Sequence, residues 1–302
     1  MITAVLAFVF LWSLSYGRVP QPWQLLICFL LCAALAVAGR HKHDGVISID
    51  AYAQRSRLKK ADPALKFWTL LALTITCVAS GTVFTGLFLI LAMLLFAVVV
   101  GGLPLPKYLQ IIALPVSFLL IAGLALLFEF SPEMTGVLNI PLFGSWLSVS
   151  AAAQERTALI VSRAIGAVSC LTLLSVTTPM PDIIGVLRRA RCPDLIIDLM
   201  YLIYRYIFIL LILNHEMRDA ARSRHGFRDY RTSMRSTGKI YANLLSRSYT
   251  FAGRNFDAME SRCYDTGIRF LEHRNPVSPA QITTSVAVLI ISVFLAFAPF
   301  VR

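Results

Sequence analysis

Charge is scarce in this 302-residue chain, and acidic charge is scarcest: 15% of residues are charged, with 16 Asp and Glu against 28 Lys and Arg. With 57% hydrophobic residues and a mean hydropathy of +0.71, that scarcity excludes an ordinary soluble domain. Motifs for chemistry are missing too. No G-x-x-x-x-G-K-[ST] is present, so a P-loop for ATP phosphates is excluded, and neither HExxH nor GxSxG occurs. The six cysteines, at 28, 32, 77, 170, 192 and 263, form no CxxC pair and no disulfide framework. They lie mostly inside apolar runs or beside arginine, and read as reduced packing residues. The N-terminal run "MITAVLAFVFLWSLSYG" lacks a basic leader before it and an A-x-A-like cleavage site after it, so a retained helix is expected rather than a cleaved signal peptide.

What is present is apolar sequence in lengths that suit a bilayer, where about 20 residues make one crossing. Two candidates precede residue 40, Ile2 to Tyr16 and Trp23 to Gly39, joined by "GRVPQP" as a tight turn. The basic stretches "RHKHDG" and "QRSRLKKADPALK" then place Arg40 to Lys66 on the cytoplasmic side by the positive-inside rule. In "DPALKFW" Asp62 is an N-cap and Pro63 occupies N1, so a helix starts there. The apolar run from Phe67 to Val100 divides at Ser80-Gly81-Thr82 into two short helices, and "GGLPLPK" returns the chain to the cytoplasm. Leu109 to Phe128 crosses next, with Pro115 as a point of kinking. From Glu129 to Glu155 there is no Lys or Arg, as an external loop should have it.

Thr157 to Val176 crosses back with Arg163 inside it, an expensive residue whose functional and structural readings remain open. Between Pro179 and Asn275, "PDLIIDLMYLIYRYIFILLILNHEMRD" would pass as a span on hydropathy alone. Arginines 188, 189 and 191 precede it, however, and arginines 218, 222 and 224 come after it, so a crossing would strand one cluster outside. Asp198 and Arg205, seven apart, fall near one helix face. The expectation is a long helix along the cytoplasmic membrane face. A last span closes the chain, with Ser278 as its N-cap and Pro279 at N1. The net charge of +12 is accounted for by this topology and calls for no nucleic acid.

Two constellations remain. His41 and His43 in "HKH" are the nearest thing to a metal-ligand pair, although juxtamembrane basic residues are the commoner explanation. The other is a repeat. "DAARSRHGF" from Asp219 is nearly restated as "DAMESRCYD" from Asp257, each with an acid five residues before an arginine that follows serine. Gly226 comes after the first copy and "YDTG" ends the second, so both arginines stand at helix ends, where a cation suits the macrodipole. Two such ends on one membrane side also suit a paired docking surface, since arginine's planar fork fixes carboxylates across an interface.

"ISIDAYAQRSRLKKADPALK", the run from Thr177 to Leu211, and "DAMESRCYDTG" together resemble the transmembrane T component of energy-coupling factor (ECF) transporters, most closely the cobalt/nickel-type, CbiQ-like members. The similarity covers Ile47 to the C-terminus. It implies an all-α polytopic membrane protein with five or so core transmembrane helices and long cytoplasmic coupling helices; the N-terminal hairpin read from the two apolar runs is a departure, since members of this type usually begin near "IDAYA". The parts of the chain would be residues 1–46 as the hairpin, 47–178 as transmembrane helices, 179–276 as the coupling region, and 277–302 as the last span.

The resemblance further implies a non-enzymatic scaffold of the bacterial or archaeal plasma membrane, surrounded by lipid. Such a scaffold joins a membrane-embedded substrate-binding subunit to two cytosolic ABC-type ATPase subunits, which bind the ATP, so the chain itself carries no cofactor. Each coupling helix in that family ends in an Ala-Arg-Gly signature that docks on one ATPase. Here Ser223, Arg224 and His225 occupy the first signature and Ser261, Arg262 and Cys263 the second. Only the arginines match. Glycine, which would permit a left-handed C-cap, is replaced by histidine and cysteine, and Gly226 is the one nearby residue that could take over that role. The substrate expected by analogy is cobalt or nickel. A vitamin, service to several substrate-binding subunits, a membrane enzyme, and a plain membrane adaptor are the alternatives.

Overall fold

The computed structural model describes residues 53–54, 56, 58, 61–131, 138–142, 145–264 and 279–297. The expected N-terminal hairpin, His41 and His43, Cys28 and Cys32, and Ser278 lie outside the described residues. Met180–Arg274 forms one compact unit, and the described residues on either side of it form another.

In the flanking unit α1 spans Pro63–Ala79, α2 Val83–Leu95, α3 Leu105–Leu127, α4 Ala151–Thr177 and α8 Pro279–Phe297. These are five apolar helices. The start of α1 is fixed as its sequence dictates: Asp62 Oδ2 accepts the Leu65 N–H at 3.3 Å, and Pro63 opens the helix. Ser80-Gly81-Thr82 separates α1 from α2. The Thr82 hydroxyl donates to the Leu295 carbonyl at 3.0 Å and so ties that turn to α8. The α2 helix widens at its end into a π turn, Phe96–Val100, and stops where Gly102 turns left-handed at φ 69°. Pro115 lies within α3.

The helix at the centre of the packing is α4, on which α1, α2 and α3 each pack, while α8 packs on α1 and α2. Leu73, Cys77, Leu89, Met93, Tyr108, Cys170, Leu173 and Val176 make up the buried core. Polar residues are accommodated in these helices because their hydroxyls are spent locally. Thr69, Thr74, Thr76, Ser169, Thr172 and Thr177 each donate to the carbonyl four residues earlier, which satisfies the hydroxyl where no water can. Arg163 gains no such partner: its Nε is buried and makes no hydrogen bond among the described residues.

Two buried glycines allow α2 and α4 to meet. A Cβ on Gly86 would lie 2.5 Å from the Ser162 carbonyl oxygen, and one on Gly166 would lie 2.8 Å from Cys77 Sγ and 3.2 Å from the Gly86 Cα. Helix backbones in a membrane approach this closely only where both residues are small.

The segment after α3, expected as an external loop, carries regular structure that the sequence reading did not assign. It forms a three-stranded antiparallel sheet of β1 (Glu129–Ser131), β2 (Leu138–Leu142) and β3 (Ser145–Val149) in the order β1-β3-β2. The register runs from Leu138↔Val149 to Leu142↔Ser145 and from Glu129↔Ser148 to Ser131↔Trp146. The stretches between its Pro, Gly and Ser residues pair as strands.

The second unit holds α5 (Met180–Arg189), α6 (Asp194–Ser223) and α7 (Tyr230–Glu260), with α6 packed on both α5 and α7. By length and composition α3, α4, α6 and the combined stretch Val83–Val100 could each cross a membrane, and α1 and α8 are shorter apolar helices.

The Gly86 and Gly166 contact sets a measurable limit. Gly86→Ala and Gly166→Ala are each expected to cost about 1–3 kcal/mol by overpacking. Gly81→Ala, with nothing within 4 Å of its Cβ, should be neutral. Thermal unfolding in detergent, monitored by loss of the monodisperse peak, measures all three.

Candidate functional site: two arginine-bearing helix ends

A helix leaves its last four carbonyls without intrahelical donors, and the residues beyond its end must supply them. After α6 the His225 N–H bonds the Arg222 carbonyl at 3.1 Å, and the Gly226 N–H reaches back to the Ala221 carbonyl at 2.8 Å. After α7 the pattern repeats: Cys263 N–H to Glu260 at 3.0 Å and Tyr264 N–H to Met259 at 3.1 Å. Both are Schellman motifs, the double closure that needs one left-handed residue.

That residue is not glycine in either copy. His225 has φ 56° and Cys263 has φ 57°. The backbone geometry that glycine would favour is therefore kept, with a side chain attached at both places. A left-handed conformation costs a residue with a Cβ roughly 1–2 kcal/mol, and histidine is among the types that adopt it more often than most. Gly226 does not take over the left-handed role, contrary to expectation. Its service is close approach, since a Cβ there would fall 2.8 Å from the Ala221 carbonyl oxygen and 2.9 Å from the Ser236 hydroxyl.

The position of the arginines is set by this geometry. Each stands immediately before the left-handed residue, Arg224 as the C-cap of α6 and Arg262 one residue after Ser261, the C-cap of α7, where the chain turns away. Arg224 and Arg262 are both exposed, as are Ser223, His225, Ser261 and Cys263. The serines contribute to the ends: Ser223 Oγ donates to the Asp219 carbonyl at 2.7 Å and Ser261 Oγ to that of Ala258 at 3.1 Å. The repeated acid is no partner of the repeated arginine. Asp219 lies 3.9 Å from Arg222, one turn away, and in the second copy that position is Glu260. Five residues along a helix turn a side chain well away from its mate. Cys263 is free and exposed, not a packing residue, whereas Cys77 and Cys170 are free and buried as expected.

Around the first end α6 and α7 border a cleft of about 530 Å³. Arg224, Arg235 and Lys239 line it together with His225 and neutral residues, and no acidic residue is among its lining, so the first arginine borders a recess whose fixed charges are all positive. The second end is held differently. Tyr264 donates its phenol to Asp198 Oδ2 at 2.9 Å, and Asp198 in turn lies 3.6 Å from Arg188 at the end of α5. That hydrogen bond to a carboxylate raises the Tyr264 pKa above the usual tyrosine range. Asp198 is 5% exposed, whereas its partners Arg188 and Tyr264 reach the surface.

Sequence reasoning missed Asp198's part in this, because its partners lie 10 and 66 positions away. It also missed a third motif. After α5, Arg191 is left-handed at φ 62°, with Arg191 N–H on Arg188 and Cys192 N–H on Leu187. Pro193, two residues beyond the turn, was the available signal.

The strain at these ends is testable. His225→Gly and Cys263→Gly should leave the helices intact and raise stability by up to about 1 kcal/mol each. A β-branched residue has no easy left-handed form, so His225→Val and Cys263→Val should lose about 1 kcal/mol or more. Hydrogen exchange of the Gly226 and Tyr264 amides, which close the two motifs, reads the change locally.

Comparison with known proteins gives these ends a context. Residues 54–274 match the family model of CbiQ, cobalt transport protein, which covers both helix ends. The chain is 30% identical to the cobalt transport protein CbiQ of Rhodobacter capsulatus over 83% of this chain and 99% of the relative. An uncharacterised protein of Methanocaldococcus jannaschii is 28% identical over 74% of this chain and 83% of its own length. The nickel permease LarQ of Lactiplantibacillus plantarum is 28% identical over 49% of this chain and 48% of its own length. Such a match, together with the apolar helices, indicates a multi-pass protein of the cell membrane. The chain belongs to the CbiQ family of cobalt transport proteins.

Proposed function

We propose that this chain is the membrane-embedded coupling subunit of an ECF-type transporter that takes up a transition-metal cation, cobalt or nickel. The observation that carries the reading is the congruence of the two helix ends, with Arg224 and Arg262 displayed at the same position of the same backbone motif. The end of α5 has alanine immediately before its left-handed residue, whereas the ends of α6 and α7 both have an exposed arginine there, which suits two copies of one kind of partner. Each arginine would dock on one cytosolic ABC-type ATPase subunit, and the substrate-binding subunit would lie beside the membrane helices. ATP is bound and hydrolysed in the partners, so no cofactor is assigned to this chain. The cobalt and nickel of the relatives' names support the metal over a vitamin.

In this role α6 and α7 run along the cytoplasmic face as coupling helices, because a crossing by α6 would put one of its flanking arginine clusters outside. ATPase closure would move the two caps relative to each other, and the helices behind them would carry that movement to the substrate-binding subunit.

The test is Arg224→Glu together with Arg262→Glu. The double variant should keep its helix content by circular dichroism, lose co-purification with its ATPases, and abolish metal uptake. Retention of both ATPases with normal uptake would falsify the coupling role.

A further inference from the structure

The five helices of the flanking unit carry their charges near their ends, at Lys66, Lys107, Glu155 and Arg156, with one exception. Arg163 stands near the middle of α4, roughly 18 Å from its start and 21 Å from its end. A cation at such a place in a membrane helix is costly and is kept where something compensates it. Among the described residues nothing does: its Nε is buried without a hydrogen bond, and no carboxylate forms an ion pair with it.

The remainder of the sequence offers no better candidate. Helices α1, α2, α3 and α8 contain no Asp or Glu, and the one acid of α4, Glu155, is exposed and about 12 Å back along the axis. The apolar runs Ile2 to Tyr16 and Trp23 to Gly39 contain none either. Asp198, inside the apolar part of α6, is already held by Tyr264 and Arg188. The same inventory rules out a second copy of this chain as the source of a carboxylate at this depth.

The side of α4 that bears Arg163 is open. Positions 156, 160, 163, 167 and 171 succeed one another along one helix face. Arg156, Ile160 and Leu171 are exposed, and Arg163 and Ala167 are half-buried. On the adjoining edge Gly166 and Cys170 are buried, so Arg163 stands where the packed side of α4 gives way to the open one.

We infer that this open face of α4 seats a transmembrane helix of another chain, one that carries an Asp or Glu in its apolar run at the level of Arg163. Ile160 and Leu171 pack against its apolar side chains, and Ala167 admits it closely at the turn beside the arginine. The carboxylate turns an uncompensated cation into a hydrogen-bonded ion pair. The identity of that chain rests on the coupling-subunit reading: it is the membrane-embedded substrate-binding subunit.

Two measurements on Arg163→Leu test this, and they should move in opposite directions. In the isolated chain in detergent, removal of a charge without a partner should raise the melting temperature by about 2–4 °C. In the co-expressed transporter the same change should cut retention of the substrate-binding subunit about tenfold, the size of a strong polar pair between membrane helices, while both ATPases stay bound. Arg163→Lys should keep most of the retention, and changing the partner's intramembrane carboxylate to its amide should reproduce the loss. Full retention by Arg163→Leu, no retention by the natural chain, or a substrate-binding subunit with no Asp or Glu inside its apolar runs would overturn the assignment. So would an unchanged or lower melting temperature of the isolated variant, which would mean that the chain itself or a lipid phosphate already neutralises Arg163. Absence of the ATPases from the natural complex would count against the coupling reading and leave this one standing.

Discussion

Every backbone amide and carbonyl withdrawn from water needs a partner, and the described parts of this protein are shaped by how that requirement is met. Within the membrane helices the ladder meets it, and serine and threonine hydroxyls are absorbed by carbonyls one turn back. A strongly apolar chain can therefore hold many hydroxyls in its spans, although the buried Thr157 hydroxyl finds no partner among the described residues. Where the helices stop, the requirement changes form. The carbonyls at the ends of α5, α6 and α7 are all closed by the same double bond pattern, which forces a left-handed residue into each turn.

Arginine, histidine and cysteine occupy those turns, and none is the residue that backbone freedom alone would select. The closure is held by two backbone hydrogen bonds apiece, and at α7 by the buried Asp198 through Tyr264 as well. Strain of this kind persists where the surroundings over-determine the conformation. A side chain at the left-handed position also adds chemistry next to each arginine: an imidazole in one case, a thiol in the other.

Much of the architecture was legible because it rests on short-range rules. Asp62 and Pro63 announced α1, Ser80-Gly81-Thr82 announced its end, and the absence of Lys and Arg set apart the segment from Glu129. What that segment becomes was not legible, since strand pairing depends on register between stretches whose Pro, Gly and Ser suggest turns. The Gly86 and Gly166 contact joins residues 80 positions apart and leaves no local mark. At the arginine ends the sequence located the arginines and raised the question about glycine. The answer lay in backbone bonds, because a residue's φ is decided by what its neighbours need to close. The link from Asp198 to Tyr264 was invisible for the same reason as the glycine contact.

That link makes the two ends unequal. The residue that closes the first turn is Gly226, which has no side chain with which to hold anything else. Its counterpart, Tyr264, closes the second turn with its amide and grips Asp198 with its phenol, two residues from Arg262. A pull on Arg224 is resisted by its own turn and by the seating of Gly226 against Ser236, whereas a pull on Arg262 loads Asp198 and, through it, Arg188 by way of a side-chain hydrogen bond. The twin sequence motifs thus differ as springs, one compliant and one braced, and a force applied equally to both would move them by different amounts.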